Sequence, residues 1–324
     1  MGSTSKAERR CVIVAGFPRS GTSWLAKCLS FAPGFTYYRE VDNYEFVPGA
    51  EERFANLYLT ADHDDDAYRR LMTRAAAGEV ATARTLKQNP GPLLKPFRGP
   101  GRALGERYPF LFLRKRHVLL KLVYANLNLA WLSANLPHAR QVCVLRHPCG
   151  QFDSWQRLGW EPRPARLLEN ARLVADHLSP FVELIRAADG FWERAGALWG
   201  ATMYVLHRQT RADAGRIVVA YEWLCGDPVA RFQDLYRRLD MTWTPAAERF
   251  IRGSDAEGDQ ATYSMTRPTA KQIDKWKRRL AATDVAACQR FVDPFELPYY
   301  PGFEPYVTSL SGDEANPAAA APSA

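Results

Sequence analysis

Apolar and polar positions alternate along the chain in a way that predicts a repeated order of strands and helices. Four short apolar runs, rich in β-branched residues, predict buried strands over 11–17, 117–123, 140–145 and 216–220. Helical spacing of apolar positions predicts helices over 22–31, 64–77, 126–135 and 163–211, the last one broken near Gly190. Helices between strands are typical of a parallel sheet, so the pattern predicts an α/β fold with helices on both faces of the sheet.

The remaining segments complete the expected organisation. A helix that contains Ser154 follows the third strand, and Asp227 with Pro228 is typical of a helix start. The charged stretch 33–52 predicts a loop, and residues 87–105, dense in proline, glycine and cations, predict a mobile loop. We therefore expect three parts, which are a flexible segment over 1–10, a single α/β domain over 11–305, and a low-complexity, disordered tail over 306–324.

Composition narrows the class of protein. The 324 residues are 47 % hydrophobic and 24 % charged, which excludes a disordered chain, a collagen-like fibre and a small disulfide scaffold. No apolar stretch approaches the roughly 20 residues that span a bilayer, so we expect no transmembrane segment. The formal net charge of +8 is compatible with a nucleic-acid partner, an anionic small molecule or a peripheral contact with a membrane surface.

Cysteine usage and the N-terminal residues point to the cytoplasm. The six cysteines show neither CxxC nor Cys/His ligand spacing, so we expect no metal site. The segment 1–10 is polar and lacks the apolar core of a signal peptide. We therefore expect a reduced, cytoplasmic compartment.

A phosphate-type loop follows the first predicted strand. Residues 16–23 (GFPRSGTS) lie between that strand and a helix, where backbone N–H groups and the helix N-terminus bind anions. The glycine spacing matches the P-loop pattern, but Thr22 stands where the pattern needs lysine, and Arg19 supplies the cation instead. The loop therefore fits a phosphate or a sulfate better than a magnesium-bound nucleoside triphosphate. An ordinary glycine-rich helix cap is the alternative.

Two further cations are expected at the carboxyl edge of the sheet, where open parallel sheets bind ligands. Arg146 ends the third strand, and Ser154 lies eight residues later, so the pair can bind a second phosphate. The alternative is that Arg146 pairs with Asp153 or a helix end. Lys121 ends the second strand, where burial is costly unless an anion is near, and a lysine that reaches solvent is the alternative.

Together these motifs resemble those of sulfotransferases that use 3′-phosphoadenosine 5′-phosphosulfate (PAPS). GFPRSGTSWL resembles the 5′-phosphosulfate loop of that family, and LRHPCGQFDSW resembles its 3′-phosphate motif. VVAYEWL resembles the strand that ends in Tyr-Glu-Asp-Leu, with Trp223 in place of Asp, and KQIDKWKRRL resembles a late segment of bacterial members. RHP…SWQRLGW is similar to bacterial carbohydrate and glycolipid sulfotransferases. The resemblance covers about residues 11–300 and implies a P-loop-like parallel sheet.

The resemblance also implies residue roles. Arg19 and Lys121 would contact the transferring sulfonate, and we assign them as catalytic together with Glu40. The expected nucleotide contacts are Arg19, Ser20, Gly21, Thr22, Ser23 and Trp24 at the 5′ end, Arg146 and Ser154 at the 3′-phosphate, Tyr221 at the adenine, and Arg267 as a further 3′-phosphate contact. No metal is required, because in-line positioning and electrostatic stabilisation by cations carry the chemistry.

The general base departs from the cytosolic pattern. Those sulfotransferases place a histidine two residues after the strand lysine, where this chain has Val123. Glycan sulfotransferases instead use a glutamate in the segment after the first helix, where Glu40 falls, with Asp42 and Glu45 as alternatives. Glu40 pairing only with Arg39 or another loop arginine is the non-catalytic alternative, and His117 and His147 are expected to bond locally.

The expected reaction is sulfonate transfer to a hydroxyl of a carbohydrate or glycolipid, with a small-molecule natural product as the alternative acceptor. The basic loop 87–116 is a candidate for an acidic acceptor or for a solvated face. Three other classes stay open. A nucleotide-dependent kinase lacks the loop lysine, a nucleic-acid binder leaves the two anion motifs unexplained, and an inactive nucleotide-binding relative is compatible with Val123.

Overall fold

A computed structural model describes residues 9–80, 85, 88–89, 117–211, 215–255 and 268–305. Its centre is a parallel sheet of five strands in the order β2-β3-β1-β4-β5. The strands are β1 (Cys11–Gly16), β2 (Phe35–Arg39), β3 (His117–Leu122), β4 (Ala139–Leu145) and β5 (Ile217–Ala220). The strand order reverses between β1 and β4, and the carboxyl ends of strands at such a reversal are where doubly wound sheets place their ligands.

Helices flank this sheet on both faces. They are α1 (Thr22–Leu29), α2 (Asp66–Ala76), α3 (Leu129–Asn135), α4 (Pro148–Gln156), α5 (Ala171–Leu173), α6 (Val182–Ala187), α7 (Phe191–Arg211), α8 (Tyr221–Gly226), α9 (Pro228–Arg238), α10 (Pro245–Ser254), α11 (Ala270–Ile273) and α12 (Ala282–Val292). Short 3-10 turns lie at Glu52–Asn56, Ala125–Leu127, Pro164–Glu169, Ser179–Phe181, Lys275–Arg278, Asp293–Phe295 and Pro301–Phe303, and a π-helical turn lies at Val174–Leu178.

The register of the central strands places the predicted site residues at one edge. Val14 of β1 lies opposite Lys121 of β3, and Lys121 in turn lies opposite Arg39 of β2. All six residues of β1 are buried, as expected for a strand covered by helices on both faces. The loops that leave β1, β2, β3 and β4 therefore meet at the same edge of the sheet.

The α/β fold expected from the pattern is confirmed, and each of the four predicted strands is present. The prediction of a loop throughout 33–52 is wrong, because β2 lies within that stretch. Among the described strands, β2 pairs with β3 alone, and its residues Phe35, Tyr37 and Tyr38 are buried. The segment over 1–8, most of the loop 87–116 and the tail 306–324 lie outside the described residues.

Candidate active site

The phosphate-type loop has the backbone conformation that anion binding needs. Arg19 and Gly21 both have positive φ, at 72° and 99°, and the Ser20 N–H donates to the Phe17 carbonyl at 3.0 Å. Helix α1 then begins at Thr22 with no side-chain cap and no acidic residue in its first turn. Because the first N–H groups of a helix have no intrahelical acceptor, this end of α1 is open to an anion.

Two glycines hold the loop against its neighbours. A Cβ on Gly16 would lie 2.6 Å from the Val144 carbonyl oxygen, and a Cβ on Gly21 would lie 2.4 Å from the Tyr221 ring. Neither distance is compatible with a side chain, so the loop backbone packs directly on β4 and on the first residue of α8. The Tyr221 ring thus packs directly on the phosphate-type loop.

The second anion motif converges on the first. The Arg19 guanidinium donates through Nε to the Ser154 hydroxyl at 2.9 Å, and Arg146 donates through Nη1 to the Arg19 carbonyl at 3.2 Å. The Arg146 guanidinium also lies over the Tyr221 ring, 4.6 Å from its centroid. The structure therefore brings Arg19, Arg146, Ser154 and Tyr221 together.

Among the described residues, Arg146 forms no ion pair with Asp153, which was the alternative considered from the sequence. Asp153 instead binds Arg279 at 3.0 Å and Arg157 at 3.2 Å. Arg279 was not among the predicted residues, and the only signal for it was the cationic segment around Lys277 and Arg278. Arg146 instead contacts the Arg19 carbonyl and the Tyr221 ring.

Unpartnered donors at this site test whether a nucleotide with two phosphate groups fits. The Ser20 hydroxyl and the Arg146 Nε are buried, and neither has a hydrogen-bond partner among the described residues. Each such group costs about 1–3 kcal/mol while it stays unpaired. Phosphate oxygens are strong acceptors, so an anion at each motif would satisfy both donors. The residues present therefore fit the nucleotide that the motifs imply.

A second cluster lies at the ends of β2 and β3. The Lys121 ammonium, 2 % exposed, lies 2.5 Å from Glu40 Oε1, and Arg39 Nε lies 3.2 Å from the same oxygen. Glu40 has a positive φ of 54°, and its N–H donates to the Lys121 carbonyl at 2.8 Å. Within the described part of the chain, Glu40 Oε2 has no hydrogen-bond partner.

The two charges of this pair shift each other's proton affinity. Burial alone would raise the pKa of Glu40, but the adjacent Lys121 and Arg39 outweigh it and hold that pKa below its ordinary value. Burial lowers the pKa of Lys121, and the Glu40 carboxylate opposes that effect. Glu40 is therefore ionised at neutral pH.

Asp42 binds backbone N–H groups directly after β3. Its carboxylate, fully buried, accepts the N–H groups of Val123 at 2.9 Å and of Tyr124 at 2.7 Å. Burial raises the pKa of Asp42 to about 7, against the opposing effect of these hydrogen bonds. Of the two alternative bases, Asp42 thus faces the chain that leaves β3, and Glu45 is exposed to solvent.

The remaining predicted residues are Thr22, Ser23, Trp24 and Arg267. Thr22 is buried and Ser23 half-buried at the start of α1, while Trp24 packs on Phe232 at 5.1 Å and donates through Nε1 to Ser254 at 3.0 Å. The Trp24 ring also meets the edge of the Tyr221 ring at 5.9 Å. Arg267 lies outside the described residues.

His117 and His147, the two histidines considered from the sequence, both lie within hydrogen-bond distance of backbone groups. His117 Nδ1 accepts the Arg10 N–H at 3.1 Å. His147 Nε2 lies 3.0 Å from the Phe303 carbonyl, its ring stacks on Trp276 at 4.5 Å, and burial lowers its pKa to about 3. His147 is therefore neutral at physiological pH and unsuited to accept a proton.

Glu222 is a buried residue at the site that sequence reasoning missed. Its carboxylate accepts the His147 N–H at 3.1 Å and the Tyr300 hydroxyl at 2.8 Å. Burial raises the pKa of Glu222. It fixes the chain that leaves β4 to the start of α8, and its position beside Tyr221 was the only available signal.

The described ranges hold no group of three or more His, Cys, Asp or Glu side chains that could bind a metal ion. In the same part of the chain, no helix has the length and apolar character needed to cross a membrane.

One family model matches most of the chain, and several solved structures are similar to it. A model described as the sulfotransferase family matches residues 11–245. Among solved structures, the chain is similar to a sulfotransferase domain from the curacin biosynthetic pathway, with 14 % identity, a TM-score of 0.45 and coverage of 90 % of this chain and 99 % of that chain. It is also similar to a mouse sulfotransferase complexed with PAP, with 12 % identity, a TM-score of 0.42 and coverage of 89 % and 84 %. No curated protein matches the sequence.

Proposed function

The chain belongs to the sulfotransferase family and is an enzyme of that class. We propose that it transfers the sulfonate of PAPS to a hydroxyl of a carbohydrate or glycolipid. One observation carries the proposal. The two anion motifs meet through the 2.9 Å contact between Arg19 and Ser154, and each keeps a buried donor without a partner, at Ser20 and at Arg146.

The chain's residues divide the nucleotide between them. The loop from Arg19 to Trp24 would hold its 5′ end, Arg146 and Ser154 its 3′-phosphate, and Tyr221 its adenine side. We include Arg267 as a further 3′-phosphate contact. When bound, the nucleotide supplies the sulfonate group that is transferred.

The residues around Glu40 would carry the proton. Both cations of the cluster bind Oε1, so Oε2 is the atom left to accept the proton of the acceptor hydroxyl. Lys121 and Arg19 place positive charge where negative charge develops on the leaving oxygen, so no metal is needed for this purpose. The position of Glu40 after the first helix supports a glycan acceptor over the histidine-dependent alternative, because Val123 has no titratable group.

The proposed compartment is the cytoplasm. All six cysteines are free and buried, which supports a reducing environment.

Thermal unfolding with adenosine 3′,5′-bisphosphate tests the donor class. Ligand at 100 times its dissociation constant adds about 2.7 kcal/mol, and the unfolding entropy of a chain of 324 residues converts this to about 4 °C. We expect the shift in EDTA as in magnesium, and its loss in Arg146→Ala. The control Arg186→Ala, an exposed arginine paired with Glu183, should retain it.

Either of two results contradicts the proposal. A shift that requires both magnesium and ATP would indicate a kinase. A shift with the bisphosphate but no sulfonate transfer to any hydroxyl acceptor would indicate an inactive relative.

A further inference from the structure

The peptide group between Arg146 and His147 is held on both sides by buried side chains. Its carbonyl accepts the Trp199 Nε1–H at 3.0 Å, and its N–H donates to Glu222 Oε1 at 3.1 Å. Trp199 and Glu222 are each 1 % exposed. This peptide lies between the end of β4 and the start of α4, so its orientation sets the direction in which the Arg146 side chain leaves the backbone.

Tyr300 contacts each of the side chains that surround this peptide. Its hydroxyl donates to Glu222 Oε2 at 2.8 Å. Its ring lies 6.0 Å from the Trp199 ring and meets the His147 ring edge-on at 5.0 Å. Glu222 therefore uses one carboxylate oxygen for the peptide and the other for Tyr300, which is itself 4 % exposed.

The segment that carries Tyr300, residues 299–304, has an unusual backbone. Tyr300 and Phe303 have positive φ, at 56° and 59°. Bulky residues rarely adopt this conformation, and it persists where the surrounding contacts impose it. The Phe303 carbonyl lies 3.0 Å from His147 Nε2, and the two rings lie 4.6 Å apart. The segment is thus fixed to the residue that follows Arg146.

These contacts also reach the side chain of Arg146. Its guanidinium lies 4.6 Å from the centroid of the Tyr221 ring, and Tyr221 directly precedes Glu222. A displacement of Glu222 would therefore move two things at once, the backbone next to Arg146 and the ring beneath its guanidinium. Glu222 is in this way the link between Tyr300 and Arg146.

We propose that Tyr300 is a positioning residue for the donor nucleotide, which acts through Glu222 to hold Arg146 where the 3′-phosphate binds. This inference rests on the proposed function, in which Arg146 binds that phosphate. The 5′ end of the nucleotide is assigned to the phosphate-type loop. A loss caused by Tyr300 should therefore fall on the binding of the 3′-phosphate.

Calorimetric titration with two nucleotides tests this role. Adenosine 3′,5′-bisphosphate and adenosine 5′-monophosphate differ only in the 3′-phosphate, so the ratio of their affinities measures how well that phosphate is bound. The wild type should bind the bisphosphate more tightly by about tenfold or more. Tyr300→Phe keeps the ring, and it should lower the ratio about fivefold, the order of one hydrogen bond, with affinity for the monophosphate unchanged.

Glu222→Gln provides a second variant at the same link. The amide offers one acceptor oxygen to two donors, the His147 N–H and the Tyr300 hydroxyl, so this variant should lower the ratio as well. In the Arg146→Ala background, Tyr300→Phe should change the ratio no further. If Glu222→Gln does not fold, Tyr300→Phe alone and combined with Arg146→Ala carries the test.

Tyr236→Phe is the matched control for a merely structural role. Tyr236 is 1 % exposed, and its hydroxyl donates to the Cys28 carbonyl at 2.7 Å, in the last turn of α1. The control removes a buried hydroxyl just as Tyr300→Phe does, so it should lower Tm to a similar extent. Its ratio of affinities should stay that of the wild type.

Four results overturn the positioning role. They are a wild-type ratio in Tyr300→Phe or in folded Glu222→Gln, an equal loss of affinity for both nucleotides in either of them, a lowered ratio in Tyr236→Phe, and a further fall in the ratio when Tyr300→Phe is added to Arg146→Ala. In each of these cases a wild type that still prefers the bisphosphate leaves the proposed function intact. If the wild type binds neither nucleotide, the proposed function itself fails.

Discussion

The buried pair of Glu40 and Lys121 predicts strong coupling between two substitutions. Glu40→Gln removes the carboxylate and leaves the buried Lys121 ammonium without its salt-bridge partner. Lys121→Met removes the ammonium and leaves Glu40 with Arg39 at 3.2 Å, a partner nearer to solvent. The double variant removes both buried charges and replaces them with uncharged side chains of similar length.

The structure sets the expected magnitudes. Removal of one partner of a buried pair costs about 3–5 kcal/mol, because the other charge stays buried and uncompensated. We expect Glu40→Gln to reach this range, and Lys121→Met to cost about 1–3 kcal/mol, since Arg39 still binds the carboxylate. For a chain of 324 residues, about 0.7 kcal/mol corresponds to 1 °C, so Glu40→Gln should lower Tm by about 4–7 °C.

The double variant tests whether Glu40 and Lys121 interact as a buried pair. It should be more stable than Glu40→Gln, and its free energy of unfolding should exceed the additive expectation by about 2 kcal/mol or more. The assay is urea unfolding of the four proteins at pH 7. As a control, Arg237→Met removes a partner from the exposed pair with Asp234 and should change stability by less than about 0.5 kcal/mol. Additivity within about 0.5 kcal/mol would show that Glu40 and Lys121 do not interact as a buried pair.

Three further predictions concern the loop, the base and Asp42. Gly21→Ala should weaken binding of the bisphosphate at least tenfold in calorimetry, because the new Cβ would lie 2.4 Å from Tyr221. Gly49 is the control, because it has a similar φ of 92° but no atom within 4 Å of the added Cβ. Gly49→Ala should cost only about 1–2 kcal/mol of stability. Glu40→Gln should lower kcat at least 100-fold and leave bisphosphate affinity within threefold, and full turnover would remove Glu40 as the base. The pKa of Asp42 is raised from 3.8 to about 7 in the folded protein, so its carboxylate form destabilises the fold above pH 7. Relative to Asp42→Asn, the wild type should therefore gain stability as pH falls from 7 to 4, at up to about 1.4 kcal/mol per pH unit. Urea unfolding at pH 5 and pH 8 measures this effect. A difference in urea midpoint between the two proteins that is the same at both pH values would contradict it.

The local pattern was enough for the central strands and for the phosphate-type loop. β1, β3, β4 and β5 are short, β-branched and covered on both faces, so their apolar runs identify them without knowledge of the neighbours. β2 escaped prediction because its five residues, FTYYR, lie inside a charged stretch and lack aliphatic β-branched residues. Its identity depends on pairing with β3, which is information that the local sequence does not hold.

The same reason limits what the sequence predicted of the site. Arg19, Arg146 and Ser154 each follow a recognised strand, so their meeting at one edge could be foreseen. The contact between Glu40 and Lys121 depends on the register of β2 against β3, in which Arg39 lies opposite Lys121. Without β2, the base and the lysine could be proposed separately but not as a pair.

The identity of residue 123 follows from how the chain leaves β3. The Val123 N–H is bound by Asp42, and the Val123 side chain is 6 % exposed, so this position packs in the interior. A titratable group there would be desolvated beside a buried lysine and a buried aspartate. Glu40 avoids that cost, because two cations bind its Oε1 and its Oε2 remains without a partner in the described chain. In this fold, fixing the end of β3 with Asp42 and placing Glu40 directly after β2 are therefore two consequences of one arrangement. The proposed base follows the strand that the local sequence pattern failed to reveal.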